Sequence, residues 1–351
     1  MTQSLPNSST LKTLAKSLDV SISTVSRALA GKKGVSEKQR ALINDTARQM
    51  GISPNEHASS LRLGTRKGLA IIVSALAPEV ARLRNTILIS KVTETFGAAT
   101  VIEHQPLDDI NDIIRLALSK KCAAIILSGV TGNISPEITA VLKSQAVALT
   151  VIDGNIPGFD CIHFHRSMGT YQSVRLLVLS GKKNIHFLTG EKFEKPDDRL
   201  QGVIAACNSL NMPNTAINLV PVQFDTAEEA FKQTHALLAS SAVDAIICVN
   251  DVMALGAMKA ISEHKIQVPQ QIAVIGFDNL PISPYYPIPL TTVSQPMDDA
   301  VDSAIELTRK RITDFHAEPV SITFPCNLIV RESAPILEHS IRESVFEKLP
   351  L

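Results

Sequence analysis

The sequence lacks the features that mark membrane and secreted proteins. Its 351 residues contain no apolar run of the roughly 18 residues that a transmembrane helix needs. The first ten residues, MTQSLPNSST, do not have the basic-then-apolar order of a secretion signal. The five cysteines are scattered and form no C-x-x-C pair, which is typical of reduced thiols. We therefore expect a cytoplasmic protein without a membrane partner.

Motifs of common enzyme classes are also missing. There is no G-x-G-x-x-G and no G-x-x-x-x-G-K-[ST], so nothing supports a nucleotide-phosphate cradle. There is no G-x-S-x-G elbow and no H-E-x-x-H. His163 and His165 stand at strand spacing, but no further Cys, His or Asp cluster accompanies them in the sequence. We expect no enzyme activity, no cofactor and no metal.

The net charge of zero conceals an uneven distribution. Residues 1–68 hold eleven basic and four acidic residues, a formal charge of +7, and the remainder carries −7. A basic N-terminal segment on an acidic body indicates a head that binds a polyanion such as DNA. A solvated basic face would give the same count, so charge alone leaves both interpretations open.

Residues 1–54 have the pattern of three short helices. Thr10, Ser21 and Ser36 are the predicted N-caps, and Gln39 completes a capping box with Ser36. A tight break at Asp19 separates the first two helices. A helix, a short turn and a second helix predict a helix-turn-helix domain, against the alternative of an ordinary three-helix bundle.

The outward face of the second helix carries the chemistry for DNA contacts. Ser21 and Thr24 can donate to phosphates beside the helix N-terminus, and Ile22 and Ser23 would project into the major groove. Arg27 can form a bidentate contact with guanine. The predicted DNA-binding residues of the head are Ser21, Ile22, Ser23, Thr24, Arg27 and Ser36.

The rest of the chain alternates apolar strand-length runs with amphipathic helical stretches. The runs are LAIIVSAL, ATVIEH, AAIILSG, ALTVID, NIHFLTG, DAIICVN and IAVIGFD. Continuous Val, Ile and Leu indicate strands buried on both faces, which is typical of parallel α/β sheets.

Two segments of this body repeat one pattern. A strand, a helix near 136–145 and the strand ALTVID parallel a strand, a helix near 252–264 and the strand IAVIGFD. Each second strand ends in an aspartate, Asp153 and Asp278. Since ligands bind beyond the carboxyl ends of parallel strands, this predicts a small-molecule cleft with one aspartate from each lobe. Both residues could instead be helix caps or turn residues.

The head closely resembles that of the LacI/GalR family of bacterial transcription regulators. V-S-x-x-T-V-S-R, V-S-x-x-x-R and P-N-x-x-A-x-x-L occur in order and at the family's spacing. The resemblance implies a hinge helix within residues 55–68 that orders on operator DNA and inserts Leu61 into the minor groove. The implied minor-groove residues are Asn55, Ala58, Leu61 and Arg62.

The resemblance continues to about residue 334. It implies a two-lobed periplasmic-binding-protein-like (type I) effector domain over 69–334, after the all-α helix-turn-helix head. The implied N-lobe comprises about 69–165 and 297–323, and the C-lobe about 166–296 and 324–334. The implied effector-binding residues are Ser74, Asp153, Arg199, Asn250, Phe277, Asp278 and Gln295.

These side chains suit a polyhydroxylated effector such as a sugar. Because the chain has no tryptophan, Phe224 or Phe277 would have to form the aromatic wall of a sugar site. Arg82 and Arg84 would suit an acidic or phosphorylated sugar, or else belong to a solvated helix face.

The predicted function is a ligand-responsive, sequence-specific DNA-binding regulator, most simply a repressor of carbohydrate or related catabolic genes. The tail, residues 335–351, lacks leucine heptads, so we expect a homodimer on a pseudo-palindromic operator. Both release from DNA and tighter DNA binding are compatible outcomes of effector binding. The alternatives are a cytoplasmic sugar-binding receptor without DNA function and an α/β enzyme with a DNA-targeting head.

Overall fold

A computed structural model describes residues 11–29, 34–50, 68–105, 108–130, 132–190, 198–335 and 344–346. The chain separates into two compact units, residues 1–67 and 68–351.

The first unit contains three helices around a small apolar core. They are α1 (Leu11–Ser17), α2 (Ile22–Leu29) and α3 (Glu37–Gln49). The buried core side chains are Leu14, Ala15, Val25, Ala28, Ile43 and Ala47. These residues recur at helical spacing, so each helix turns one apolar stripe inward and leaves its polar face to solvent.

Local polar contacts set the ends of these helices as the sequence predicts. Asp19 adopts a left-handed φ of 48° in the turn between α1 and α2. Ser21 Oγ accepts from the backbone N–H of Thr24 at 3.1 Å, and Ser36 Oγ accepts from that of Gln39 at 3.3 Å. Both serines therefore act as N-caps.

The second unit is built on two six-stranded sheets. The strands of the described residues are β1 (Leu69–Ser74), β2 (Ala99–His104), β3 (Ala124–Ser128), β4 (Ala148–Ile152), β5 (Asp160–His165), β6 (Ile185–Thr189), β7 (Ile217–Pro221), β8 (Ala245–Cys248), β9 (Ala273–Asp278), β10 (Thr291–Ser294), β11 (Ser321–Pro325) and β12 (Asn327–Ile329). The first sheet has the order β11-β5-β4-β3-β1-β2 and the second β12-β10-β9-β8-β6-β7. The strand pairs are parallel except β10 with β12.

Helices connect these strands in both lobes. They are α4 (Glu79–Phe96), α5 (Ile110–Ser119), α6 (Pro136–Ser144), α7 (Arg166–Leu179), α8 (Asp198–Ser209), α9 (Ala227–Ser240), α10 (Asp251–Glu263) and α11 (Met297–Thr313). Helix α11 follows β10 of the second sheet but packs on β4 and β5 of the first.

In the described residues the chain crosses between the two sheets at three places. The crossings lie between β5 and α7, between β10 and α11, and between β11 and β12. The first and second crossings place Arg166 and Gln295 where the lobes join, and the third contains the fully buried Cys326. Residues at these positions can contact both lobes.

The seven strands that the sequence predicts are all present. The five remaining strands are either short or carry polar residues on alternate positions, such as β11 with its exposed Ser321 and Thr323 at the sheet edge. An edge strand buries only one face, so its composition does not form a continuous apolar run.

All five cysteines are buried free thiols. Of the helices that the structure describes, none combines the length and apolarity needed to cross a bilayer.

The close packing of α9 on α10 gives a stability prediction. A Cβ built on Gly256 would overlap the backbone carbonyl of Ala227, which cannot move without shifting α9. We expect Gly256→Ala to lower the free energy of unfolding by about 2 to 4 kcal/mol, because overpacking displaces backbone. Urea unfolding measures this.

The matched control is Ser262→Ala, at an exposed position of the same helix. It should change the free energy of unfolding by less than about 0.5 kcal/mol. Equal effects of the two substitutions would contradict the packing account.

Candidate functional site: an arginine and aspartate cluster between the lobes

Asp153 and Asp278 lie at the carboxyl ends of central strands in the two sheets. Asp153 follows β4 with a φ of 61°, and Asp278 ends β9 with a φ of 107°. A left-handed φ is costly for a residue with a Cβ and is typically retained at binding sites. The backbone thus bends sharply at both aspartates and turns their side chains beyond the sheet edge.

Asp153 binds two arginines with its two oxygens. Arg84 Nη1 donates to Oδ2 at 2.8 Å and Arg166 Nη2 donates to Oδ1 at 2.7 Å. The Arg84 side chain is 1% exposed and that of Asp153 is 22% exposed. These short charge-assisted bonds are largely shielded from solvent, so they are stronger than surface ion pairs.

Arg84 reaches Asp153 across the carboxyl end of β3. Its Nε donates to Ser128 Oγ at 3.2 Å, and Ser128 in turn donates to Asn85 Oδ1 at 2.6 Å. A Cβ on Gly129 would stand 2.7 Å from Arg84 Nη2, so only glycine leaves room for the guanidinium. The interpretation of Arg84 as part of a solvated helix face is wrong, whereas Arg82 on the same helix is exposed and pairs with Glu79.

Arg84, Asp153 and Arg166 form an ion cluster, and Arg166 connects this cluster to the first two crossings between the lobes. Its backbone N–H donates to Asp198 Oδ2 at 2.6 Å, and its Nη2 also donates to Gln295 Oε1 at 3.1 Å. The guanidinium carbons of Arg84 and Arg166 lie 5.8 and 5.4 Å from the ring centre of Phe164, within the range of cation–π attraction.

The second lobe continues this network to Asp278. Gln295 Nε2 donates to Asp278 Oδ1 at 2.6 Å, so one amide links the two aspartates through Arg166. The guanidinium carbon of Arg199 lies 4.5 Å from the ring centre of Phe277, which is itself only 1% exposed. Phe277 therefore supports Arg199 and offers little open ring face to a ligand.

The surroundings shift the pKa values of Asp153 and Asp278 in opposite directions. Burial tends to raise the pKa of Asp153, but the charges of Arg166 and then Arg84 outweigh burial and hold that pKa well below its usual range. Burial raises the pKa of Asp278 to about 7, although Arg199 opposes this. Asp153 is thus a fixed negative charge, and Asp278 exchanges a proton near neutrality.

A third aspartate, Asp251, holds the backbone that surrounds Asp278. Burial raises the pKa of Asp251 to about 6. Its carboxylate accepts from Ser283 Oγ and Thr292 Oγ1 at 2.5 Å and from the N–H of Leu280 at 2.8 Å. These bonds tie the start of α10 to β10 and to the loop after β9, which fixes the backbone around Asp278.

The other predicted effector residues lie at the same sheet edges but outside the bonded chain. Ser74 ends β1 and is half-buried. Asn250 caps α10 by accepting from the N–H of Met253 at 2.7 Å, and its amide donates to the Asp225 carbonyl at 3.4 Å. Phe224 is 58% exposed, so it is the more accessible of the two candidate aromatic residues.

The predicted DNA-contacting residues of the head lie on its surface. Ile22 is 44% exposed, and Ser23, Arg27 and Ser36 are exposed. Ser21 Oγ lies 2.8 Å from the hydroxyls of Ser23 and Thr24. Arg27 Nε donates to the carbonyl of Ser23 at 3.2 Å, which holds the guanidinium along the helix. Asn55, Ala58, Leu61 and Arg62 lie outside the described residues.

Arg166 and Phe164 are functional candidates that the sequence reasoning missed. Phe164 lies in β5 and Arg166 follows this strand, whose sequence DCIHFH carries polar residues at Asp160, His163 and His165. Recognition of β5 as a strand would have placed Arg166 beyond its carboxyl end, beside Asp153. Among the described residues no group of three or more His, Cys, Asp or Glu could hold a metal ion.

Comparisons with known proteins agree with both units. The family model of bacterial regulatory proteins, lacI family, matches residues 10–55, and the periplasmic binding protein-like domain matches residues 174–334. The HTH-type transcriptional repressor PurR of Pasteurella multocida (strain Pm70) is 26% identical over 329 residues, 92% of this chain and 98% of that protein.

Solved structures share the fold. The Lac repressor dimer bound to operator and the anti-inducer ONPF aligns with a TM-score of 0.74 at 22% identity, over 93% of this chain and 99% of that one. A LacI family transcriptional regulator from Enterococcus faecium with bound ribose aligns with a TM-score of 0.64 at 20% identity, over 77% of this chain and 100% of that one.

A helix-turn-helix head and a two-lobed α/β domain are the DNA-binding and ligand-binding domains of a transcriptional repressor. The head matches the lacI family of bacterial regulatory proteins, and the chain is similar to a transcriptional repressor over 92% of its length. The predicted fold class, an all-α helix-turn-helix head with a type I periplasmic-binding-protein-like domain, is confirmed.

The raised pKa of Asp278 gives a prediction for stability against pH. Since the folded state retains a proton that the unfolded state loses above its ordinary pKa of 3.8, stability falls as pH rises from about 4 to 7 and levels off above. Asp278→Asn removes this contribution. Between pH 5 and 6 its unfolding free energy should fall less steeply than that of wild type, by up to about 1.4 kcal/mol per pH unit.

Denaturant unfolding at several pH values measures the two slopes. The control is Asp299→Asn, an exposed aspartate on α11, which should retain the wild-type slope. Parallel slopes for wild type and Asp278→Asn would be inconsistent with a proton held at Asp278.

Proposed function

We propose that the protein is a repressor that binds a pseudo-palindromic operator as a homodimer, and that a small polar effector between its lobes controls this binding. The observation that carries the proposal is the bonded chain from Arg84 through Asp153, Arg166 and Gln295 to Asp278. These hydrogen bonds span the carboxyl ends of both sheets, and the same polypeptide also carries a helix-turn-helix head.

The head supplies sequence reading in this proposal. Two recognition helices, one per subunit, would occupy major grooves about 34 Å apart. Ser21, Ser36 and Thr24 would contact phosphates, while Ile22, Ser23 and Arg27 would read base edges. The exposure of these side chains and the name of the PurR relative, a transcriptional repressor, support this role.

Residues 55–68 would form the hinge between the head and the effector domain, residues 69–334. Asn55, Ala58, Leu61 and Arg62 would bind the minor groove, where an apolar wedge kinks the duplex. An isolated helix of this length is marginal in water, so its folding can be coupled to DNA binding. Residues 335–351 would form a short tail without a tetramer-forming heptad.

The effector would bind beside Asp153, Arg199, Asn250, Asp278 and Gln295, with Ser74 and Phe277 lining the site. The neighbouring structure with ribose supports a sugar or sugar derivative of a catabolic pathway. Closure of the lobes on the effector would alter the spacing of the two hinges at the dimer axis. A complete switch between bound and free requires about 5 kcal/mol of differential affinity.

Leu61→Ala tests the hinge assignment. We expect the variant to retain effector-domain stability and to lose most of its specific operator affinity, because the apolar side chain that stabilises the kinked duplex is missing. Gel shifts with operator DNA and with unrelated DNA at two salt concentrations distinguish specific from non-specific binding, since phosphate contacts weaken steeply with salt. Undiminished operator affinity would refute the hinge assignment.

Arg27→Ala tests direct base reading. The variant should relax the preference at one base pair per half-site, a loss of about 1 to 3 kcal/mol of discrimination. Selection from a randomised operator library measures it. Lys38→Ala, at an exposed lysine of α3, is the control and should leave the preferred sequence unchanged. An unchanged preference in Arg27→Ala would argue against its role.

A further inference from the structure

The internal bonds of the ion cluster use its acceptors more completely than its donors. Both oxygens of Asp153 accept from guanidinium groups, and Gln295 accepts from Arg166 while donating to Asp278. Two buried nitrogens, Arg84 Nη2 and Arg166 Nε, have no hydrogen-bond partner among the described residues. Groups that lack a partner here are therefore N–H donors.

The position of these donors is fixed by the surrounding chain. Arg84 is 1% exposed, bonded through Nε to Ser128, and lies across Gly129, where a Cβ would collide with Nη2. Both guanidinium groups also lie within 6 Å of the Phe164 ring centre, at 5.8 and 5.4 Å. A buried charged donor without an acceptor is costly, so a bound group that supplies acceptors there gains more than one that supplies donors.

We propose that the effector carries an anionic oxygen group, a carboxylate or a phosphate, that binds the guanidinium groups of Arg84 and Arg166 beside Asp153. This rests on the proposed function, because it assigns a chemical class to the effector of the same cleft.

A neutral sugar is disfavoured by the same geometry. Its hydroxyl oxygens can accept from the unpartnered N–H groups only as uncharged acceptors, which form weaker bonds than an ionised oxygen does. An oxyanion supplies ionised acceptors, and each guanidinium has five N–H donors, so it can bind Asp153 and a second acceptor together. Arg199 adds a third guanidinium on the second lobe, with its guanidinium carbon 4.5 Å from the ring centre of Phe277.

The first experiment uses inorganic phosphate as the minimal oxyanion and the full-length protein. Thermal unfolding is followed in millimolar phosphate and in sodium chloride of equal ionic strength. The wild-type protein should gain about 3 °C in Tm once phosphate exceeds its Kd about tenfold. Arg166→Gln should lose this gain, and Arg82→Gln, at the exposed arginine of α4, should keep it.

General stabilisation by phosphate would raise the Tm of all three proteins equally, which would overturn the proposal, as would no gain in wild type. If Arg166→Gln does not fold, Arg166→Lys and Arg84→Lys replace it. Each keeps the positive charge but loses the planar fork, so the gain in Tm should fall at least by half in both. A gain equal to wild type in both lysine variants would also overturn the proposal.

A matched sugar series then separates carboxylate from phosphate. Titration calorimetry with glucose, gluconate and glucose 6-phosphate should show at least tenfold tighter binding of one anionic member than of glucose. A series in which glucose matches or exceeds both anionic members overturns the proposal. Operator binding by the wild-type protein without ligand is measured separately at fixed ionic strength. Absence of operator binding by wild type would refute the proposed function, and this result remains distinguishable from absence of anion binding.

Discussion

The Asp153 carboxylate between Arg84 and Arg166 is the interaction on which the effector domain depends. It holds one negative charge between two nearly buried positive charges at the place where the lobes meet. Burying any of these groups alone would cost several kcal/mol, so the three must be assembled together. Because Arg166 also donates to Gln295 at the second crossing, the cluster includes a hydrogen bond between the two crossings.

The rest of the fold provides the rigid supports that this cluster requires. Parallel strands bring the ends of β3 and β4 side by side, which places Gly129 and Asp153 within reach of one arginine from α4. Asp251 fixes the corresponding edge of the second sheet by bonding to two hydroxyls and a backbone N–H. Strain at the left-handed Asp153 and Asp278 is sustained because β4 and β9, the strands that lead into them, are buried along their whole length.

Sequence patterns predicted a helix-turn-helix head, parallel α/β sheets, seven strands and the caps at Ser21 and Ser36, because continuous apolar runs and capping residues are local signals. The two-lobed periplasmic-binding-protein-like class came from the family resemblance. They also predicted that Asp153 and Asp278 end strands. They did not predict Arg166, since β5 alternates polar and apolar residues and was not recognised as a strand. The buried position of Arg84 depends on Gly129, 45 residues away, and such a contact leaves no local pattern in the sequence.

The operator affinity of a cluster variant tests most directly the proposal that this ion cluster controls DNA binding by the head. The preferred genomic fragment is first selected with wild-type protein, and Kd for that fragment is then measured for wild type and Arg166→Gln at one salt concentration. The account predicts an unchanged preferred sequence and a change in Kd of about tenfold or more, corresponding to a coupling of at least about 1.4 kcal/mol. Equal Kd values for the two folded proteins would contradict it.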